Sequence, residues 1–493
     1  MILRPLLASF TVTFLAVTAS PGNLRVSPEG RIFTAADGQP FLWIGDTAWE
    51  LFHRLDRDEA RHYLTRRAEQ GFNVIQAVIL AERDGLRVPN AYGHVPFHDL
   101  DPRRPNEAYF EHVDFIVREA ARLGFHIALL PTWGDKVAGH RAGSGPVVFN
   151  PDNAADYGRF LGHRYREAPV IWMLGGDRSI EQDISYRTWN AMAAGIREGD
   201  GGAHLMTYHP AGGDTSAMWF HNAPWLDFNV FQSGHEKRFN PVYRAAAELA
   251  LLQPRKPFLD AEPPYEDIAI RFWDFIRWGE PDPIPPDVID AEGMLVRPEH
   301  FSRGFFDAHD VRVSAYWSLL AGGAGFTYGH NAVWQMHRRG EKATIPTQFE
   351  WPEALDRPGA RSMQHLRRLF ERRPFFRLRP DQSIVYGDNP DGPRHIRAAL
   401  DDQREFALVY LAEGRPVELV LGKVRGETAI ILWFDPRTGE IHARREMPNT
   451  GRHAFTPPTE GPEEDWVLII EAADADLPAL KTRKDPPGGP GSA

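Results

Sequence analysis

The chain has 493 residues, of which 42% are apolar and 25% charged, with no cysteine and a formal net charge of −11. This length suits about two or three domains, or one large barrel with an accessory domain, and the apolar content supports a sizeable core, which excludes wholesale disorder and fibrous repeats. The acidic balance argues against a nucleic-acid partner, because a binder needs a positive footprint to offset phosphate. The missing thiols exclude disulfides, thiolate zinc sites, iron–sulfur clusters and a cysteine nucleophile.

In chain order, residues 1–19 carry Arg4 ahead of a mostly apolar stretch over 5–17 and end on the small residues of Val17-Thr18-Ala19. This pattern predicts a signal peptide and a secreted or periplasmic protein. No later window is long and apolar enough to span a membrane, so no span is expected after cleavage. Residues 24–40 read as a hairpin turning at Asp37-Gly38 that caps the bottom of a barrel.

Eight apolar runs follow at 41–49, 72–80, 126–133, 170–177, 205–210, 226–234, 257–263 and 324–330. Most are continuous, as strands buried on both faces of a parallel sheet must be. Amphipathic stretches alternate with them, among them Asp58–Gln70, Glu107–Leu123, Asn153–Tyr165, Tyr186–Arg197, Val242–Leu252 and Phe305–Leu320. Such alternation predicts an α/β fold, a TIM (β/α)8 barrel over 24–350. A doubly wound open sheet would want a glycine-rich phosphate turn after its first strand, which GDTAW (45–49) is not. Residues 351–379 form a linking helix interrupted at Pro358-Gly359. Short alternating runs then predict an antiparallel β-sandwich over 380–475, beginning with a strand at SIVYG (383–387), and the Pro/Gly-rich tail over 476–493 reads as disordered.

Polar residues gather at the C-terminal ends of the eight runs, on the face where a barrel holds its active site. Asp177 ends the fourth run and Glu262 the seventh. Two carboxyls facing one pocket are what a retaining glycosidase needs, one to protonate the leaving oxygen and one to attack the anomeric carbon. Asp46, Gln76, His209, Gln232 and His330 offer acceptors and donors for sugar hydroxyls, and Trp49, Trp133 and Trp334 offer stacking walls. For each of these the alternative is a satisfied barrel residue, and for Asp46 an N-cap. His94 and His98 have i, i+4 spacing, but Pro96 between them argues for a loop. With no HExxH pattern, phosphate loop, dinucleotide fingerprint or GxSxG elbow, no metal or cofactor is expected.

The segments WIGDTAWELFHRL, FNVIQAVIL, VIWMLGGDRS, FQSGHE, FLDAEPPYE and GFTYGHNAVW resemble the apiosidase-like glycoside hydrolases, family 140 and its relatives. The trailing sandwich resembles the domain that those proteins carry under a collagen-binding label. The resemblance spans about residues 24–472. It implies that Asp177 is the acid/base and Glu262 the nucleophile, with Glu266 orienting Glu262 or a sugar hydroxyl. The family pattern has glycine before this glutamate, where this chain has Ala261. The implied activity is that of an exported retaining hydrolase of plant or microbial polysaccharide side chains, with an oligo- or polysaccharide as partner. The alternative is a sugar-binding barrel without turnover. In the sandwich, Trp433 and Trp466 are the candidates for an independent binding surface, although each sits in an apolar strand.

Overall fold

A computed structural model describes residues 21–82, 84–140, 145–277 and 283–482. Residues 1–20, where a signal peptide is expected, and residues 483–493 of the tail lie outside the described residues.

Eight parallel strands form one sheet: β1 (Trp43–Thr47), β2 (Val74–Val78), β3 (His126–Leu130), β4 (Val170–Gly175), β5 (Met206–His209), β6 (Asn229–Phe231), β7 (Phe258–Asp260) and β8 (Gly325–Tyr328). The ladder runs β5-β4-β3-β2-β1-β8-β7-β6. The remaining seam, between β5 and β6, is stitched less regularly: the Asp227 amide donates to the Met206 carbonyl at 2.8 Å and the Thr207 hydroxyl to the Phe228 carbonyl at 2.7 Å. The fold is a TIM barrel, as the alternation of apolar runs implies.

Outside the sheet run α1 (Arg57–Glu69), α2 (Glu107–Arg122), α3 (Pro151–Arg164), α4 (Asp183–Asp200), α5 (Val242–Leu251), α6 (Ala308–Leu320) and α7 (Pro358–Arg372). Their starts follow local chemistry. Asp56 caps α1 in a capping box with Glu59, and Asn150 caps α3 ahead of Pro151. Pro358 opens α7 and separates it from the short helix Trp351–Ala354, so the interruption falls where the sequence puts it. Helices α3 and α4, which flank β4, meet through Gly158, Gly162, Gly195 and Gly199. A Cβ on any of the four would fall within 2.5 Å of a backbone oxygen of the facing helix. That close approach fixes β4, the strand that delivers Asp177.

The N-terminal segment makes a small antiparallel sheet of Arg25–Val26, Phe33–Thr34 and Pro40–Phe41, turning at Gly38. Phe33 packs edge-on against Phe228 at 5.0 Å and tilted against Trp43 at 6.0 Å, both at the N-terminal ends of strands, so this sheet closes the bottom of the barrel.

The C-terminal region holds β9 (Leu378–Pro380), β10 (Ile396–Asp401), β11 (Phe406–Leu411), β12 (Val417–Val420), β13 (Thr428–Asp435), β14 (Glu440–Pro448), β15 (Arg452–Phe455) and β16 (Trp466–Ala472). Six of them form an antiparallel sheet ordered β9-β10-β11-β16-β13-β14, and β12 pairs with β15. The run at 383–387 is not a regular strand. Asp381 accepts from the Ser383 amide and turns the chain into a 3-10 element at Gln382–Ile384, leaving one bridge from Val385 to Leu419. Trp433 and Trp466 are 6% and 0% exposed, so they fill the core rather than a surface row.

The sandwich is locked to the barrel by a buried ion pair. Arg312 on α6 donates from Nε and Nη2 to the two oxygens of Asp465, each at 2.8 Å, and Tyr410 donates to the same carboxylate at 2.9 Å. Tyr316 and Tyr410 stack beside it at 4.6 Å. Replacing Asp465 by Ala leaves the Arg312 guanidinium buried without its counter-charge, which should cost about 3–5 kcal/mol. Chemical denaturation should register that loss, and the paired change Arg312→Met with Asp465→Leu should recover most of it.

Candidate active site

The first carboxyl sits on a strained turn. Where β4 ends, Gly175, Gly176 and Asp177 take φ values of 91°, 111° and 52° in succession. A Cβ on Gly175 would lie 2.3 Å from the His209 carbonyl oxygen, and one on Gly176 3.0 Å from Trp133 Cα, so only glycine fits at either position. Asp is among the few side chains that enter the left-handed region at modest cost. The turn is pinned from several sides. The Gly134 amide donates to the Gly176 carbonyl at 3.2 Å, Tyr208 donates to the Arg178 carbonyl at 2.7 Å, and Arg178 Nη1 donates to the Asp177 carbonyl at 2.7 Å. Neighbours therefore over-determine a backbone that would otherwise relax.

The turn lifts the Asp177 carboxyl into the cleft at the C-terminal ends of the strands, with 38% of its side chain exposed. Desolvation in the cleft raises its pKa above the ordinary carboxylate range, and the negative charge of Glu262 raises it further. Arg178, 3.2 Å from Oδ2, opposes both, as does a hydrogen bond from Gln232.

Glu262, 6% exposed, follows β7 by two residues. Its carboxylate is gripped by two imidazoles. His209 Nε2 lies 3.1 Å from Oε2, off the ideal hydrogen-bond line, and His235 Nε2 lies 3.3 Å from Oε1. Both rings are oriented alike. The Asp177 amide donates to His209 Nδ1 and the Tyr265 amide to His235 Nδ1, each at 3.4 Å. An Nδ1 that accepts must be unprotonated, so Nε2 carries the hydrogen and presents it to Glu262. Burial alone would push the Glu262 pKa up, but the N–H groups that His209 and His235 present to it outweigh burial and hold the group down to about 2. The Tyr265 hydroxyl accepts from the Trp49 indole at 3.1 Å, and its pKa is raised by burial and then by the neighbouring Glu262 charge. One imidazole, His209, touches both the Asp177 backbone and the Glu262 carboxylate, so the two acids share a single hollow.

The other sequence candidates divide. Trp49 packs against Trp133 at 5.2 Å and against His209 at 5.4 Å, and with Trp334 they belong to one apolar cluster inside the barrel. Gln232 reaches Asp177. Four candidates have structural partners instead. Asp46 is fully buried and points away from the barrel interior, accepting from Tyr63 at 2.5 Å and from Arg67 Nε at 2.7 Å on α1. Strand parity explains this: Trp43, with its indole on Thr327, faces inward, so Asp46, three residues on, faces the helices. Gln76 does face inward, but its amide is spent on the Ala261 carbonyl at 2.9 Å and on Thr327 at 3.2 Å. Glu266 accepts from Tyr328 at 2.6 Å and from the Gly359 amide at 3.0 Å, which makes it the anion at the N-terminus of α7. His330 is fully buried, with Nε2 2.9 Å from Asp267 and Nδ1 accepting from the Ala332 amide.

His235 and Tyr265 were not among the sequence candidates. Each stands three residues beyond a residue that was, Gln232 and Glu262 respectively, in loops whose course no periodicity reveals. Among the described residues no three His, Asp or Glu side chains converge as metal ligands do.

Residues 27–377 match the family model described as "Apiosidase-like, catalytic domain", and residues 379–471 match "Putative collagen-binding domain of a collagenase". A solved structure described as "Glycoside hydrolase" is 33% identical, covers 92% of this chain and 98% of its own, and superposes with a TM-score of 0.78. A crystal structure of a glycoside hydrolase family 5 protein from Bacteroides vulgatus ATCC 8482 is also 33% identical, with 92% and 94% of the two chains covered and a TM-score of 0.78. No curated protein matches the chain. A family model that spans most of the barrel and ends at the start of the sandwich, together with these full-length likenesses, leads to one conclusion: the chain belongs to the apiosidase-like family and is a glycoside hydrolase.

Proposed function

We propose that this glycoside hydrolase is exported and acts by double displacement on sugar side chains of plant or microbial polysaccharides, apiosyl groups among them. The observation that carries the reading is the division of labour between the two carboxyls. Glu262 is held ionised by two N–H donors, as a nucleophile must be, while Asp177 is biased towards its protonated form, as a general acid must be. Their common contact with His209 brings both acids to one hollow, as double displacement requires.

In the first step Glu262 attacks the anomeric carbon as the glycosidic C–O bond breaks, and Asp177 gives its proton to the departing oxygen. Esterification removes the Glu262 charge, which lowers the Asp177 pKa and readies it as a base. Asp177 then takes a proton from water, the water oxygen bonds to the anomeric carbon, and the ester bond to Glu262 breaks. The sugar leaves with its anomeric configuration retained.

Four measurements test this. Proton NMR of the first product should show retention, and inversion would refute double displacement. Asp177→Ala should lower turnover of an unactivated glycan about 10²–10⁴-fold, yet much less for an aryl glycoside whose leaving group needs no proton. The kcat/KM profile should fall on the alkaline side as Asp177 loses its proton, and hold on the acid side until Glu262 titrates near 2. Stability should move in opposite directions for the two sites. Ionised Asp177 destabilises the fold at pH above its ordinary pKa, so Asp177→Asn should raise the melting temperature at pH 7. Ionised Glu262 stabilises it there and loses that contribution as pH falls towards 2, so Glu262→Gln should lower the melting temperature at pH 7 and matter less in acid.

Export rests on the Arg4 start and the apolar stretch that follows it. N-terminal sequencing of the protein recovered from a secreting host should begin after Ala19; an intact Met1 would refute cleavage.

A further inference from the structure

Among the buried polar atoms around the acid turn that have no hydrogen-bond partner among the described residues, Arg178 Nε included, two belong to the neutral side chains of Gln232 and Trp133. Gln232 is 5% exposed and its amide donates to Asp177, which leaves Oε1 with no hydrogen bond among the described residues. Trp133 is 4% exposed, and its Nε1–H likewise has no acceptor. Its ring abuts the same turn: a Cβ on Gly176 would stand 3.0 Å from Trp133 Cε3, and Nε1 lies on the other edge of the indole. Buried polar atoms are rarely left unmade, because desolvating them without a partner is costly. Here the acceptor shares its side chain with a donor to the group assigned to proton transfer, and the unpaired N–H belongs to a ring packed on that group's turn.

Resting on the glycosidase reading above, we propose that Gln232 and Trp133 are specificity-determining residues that read a sugar hydroxyl beside Asp177. The Gln232 carbonyl accepts the hydroxyl proton, and the Trp133 N–H donates to a sugar oxygen.

The probes are 4-nitrophenyl furanosides and pyranosides of pentoses and hexoses, and monodeoxy analogues of the glycoside that the wild type hydrolyses best. The wild type should lose about 10- to 100-fold in kcat/KM on one deoxy analogue. Gln232→Leu should lower kcat/KM on the parent glycoside by a similar factor and no longer distinguish it from that analogue. Trp133→Phe, which keeps an aromatic ring and deletes the N–H, should also narrow the ratio. If Gln232 acted only through Asp177, the variant would shift the alkaline limb of the pH profile and keep the wild-type ratio; that result overturns the inference. Hydrolysis of no glycoside at all would sink the glycosidase reading, and this inference with it.

Discussion

A carboxylate buried at the top of a barrel is costly unless donors face it, and the two imidazoles on Glu262 meet that condition. Each imidazole does so only because a backbone amide has already claimed its other nitrogen. The amide that orients His209 is that of Asp177. The left-handed turn which raises the acid into the cleft also aims the ring that steadies the opposing carboxylate, so the two acids are set by one piece of backbone. The strain at Gly175-Gly176-Asp177 and the ionisation of Glu262 are thus parts of the same arrangement.

The barrel makes this possible through geometry that no single loop could supply. Strands β4, β5, β6 and β7 each deliver one or more groups at their C-terminal ends: Asp177, His209, Gln232 with His235, and Glu262. The glycine contact between α3 and α4 lets those helices approach closely on either side of β4. Between β5 and β6, where the ladder gives way to side-chain and single backbone bonds, the barrel still closes because Thr207 and Asp227 bridge the gap.

Much of this was legible in the sequence. Parallel strands covered on both faces must be apolar throughout, so eight such runs separated by helical patterns could be counted directly. Strand ends could be located, and with them Asp177, His209, Gln232 and Glu262. Side-chain direction was harder. Asp46 lies near the end of its run but on the wrong parity, and only the inward placement of Trp43 reveals it. Glu266, His330 and Gln76 look like free polar groups in one dimension. Their partners, Gly359, Asp267 and Ala261, are remote in sequence for Glu266 and Gln76, and for His330 sit in an irregular loop. His235 and Tyr265 lie in the loops after β6 and β7, where pattern carries no information about position.

The sandwich bears on the same site through a chain of contacts. Asp465 holds Arg312 on α6, and Arg312 also reaches Ser362 on α7 at 3.4 Å. Helix α7 in turn receives Glu266 at its N-terminus through the Gly359 amide, and Glu266 is four residues beyond Glu262 in the loop that also carries Tyr265. Trp433 and Trp466 are committed to its core and offer no stacking face to a glycan. Its buried charge, by contrast, is directed at the barrel. That contact braces α6 and α7 against the sandwich, and those helices flank β8 and anchor the loop behind Glu262.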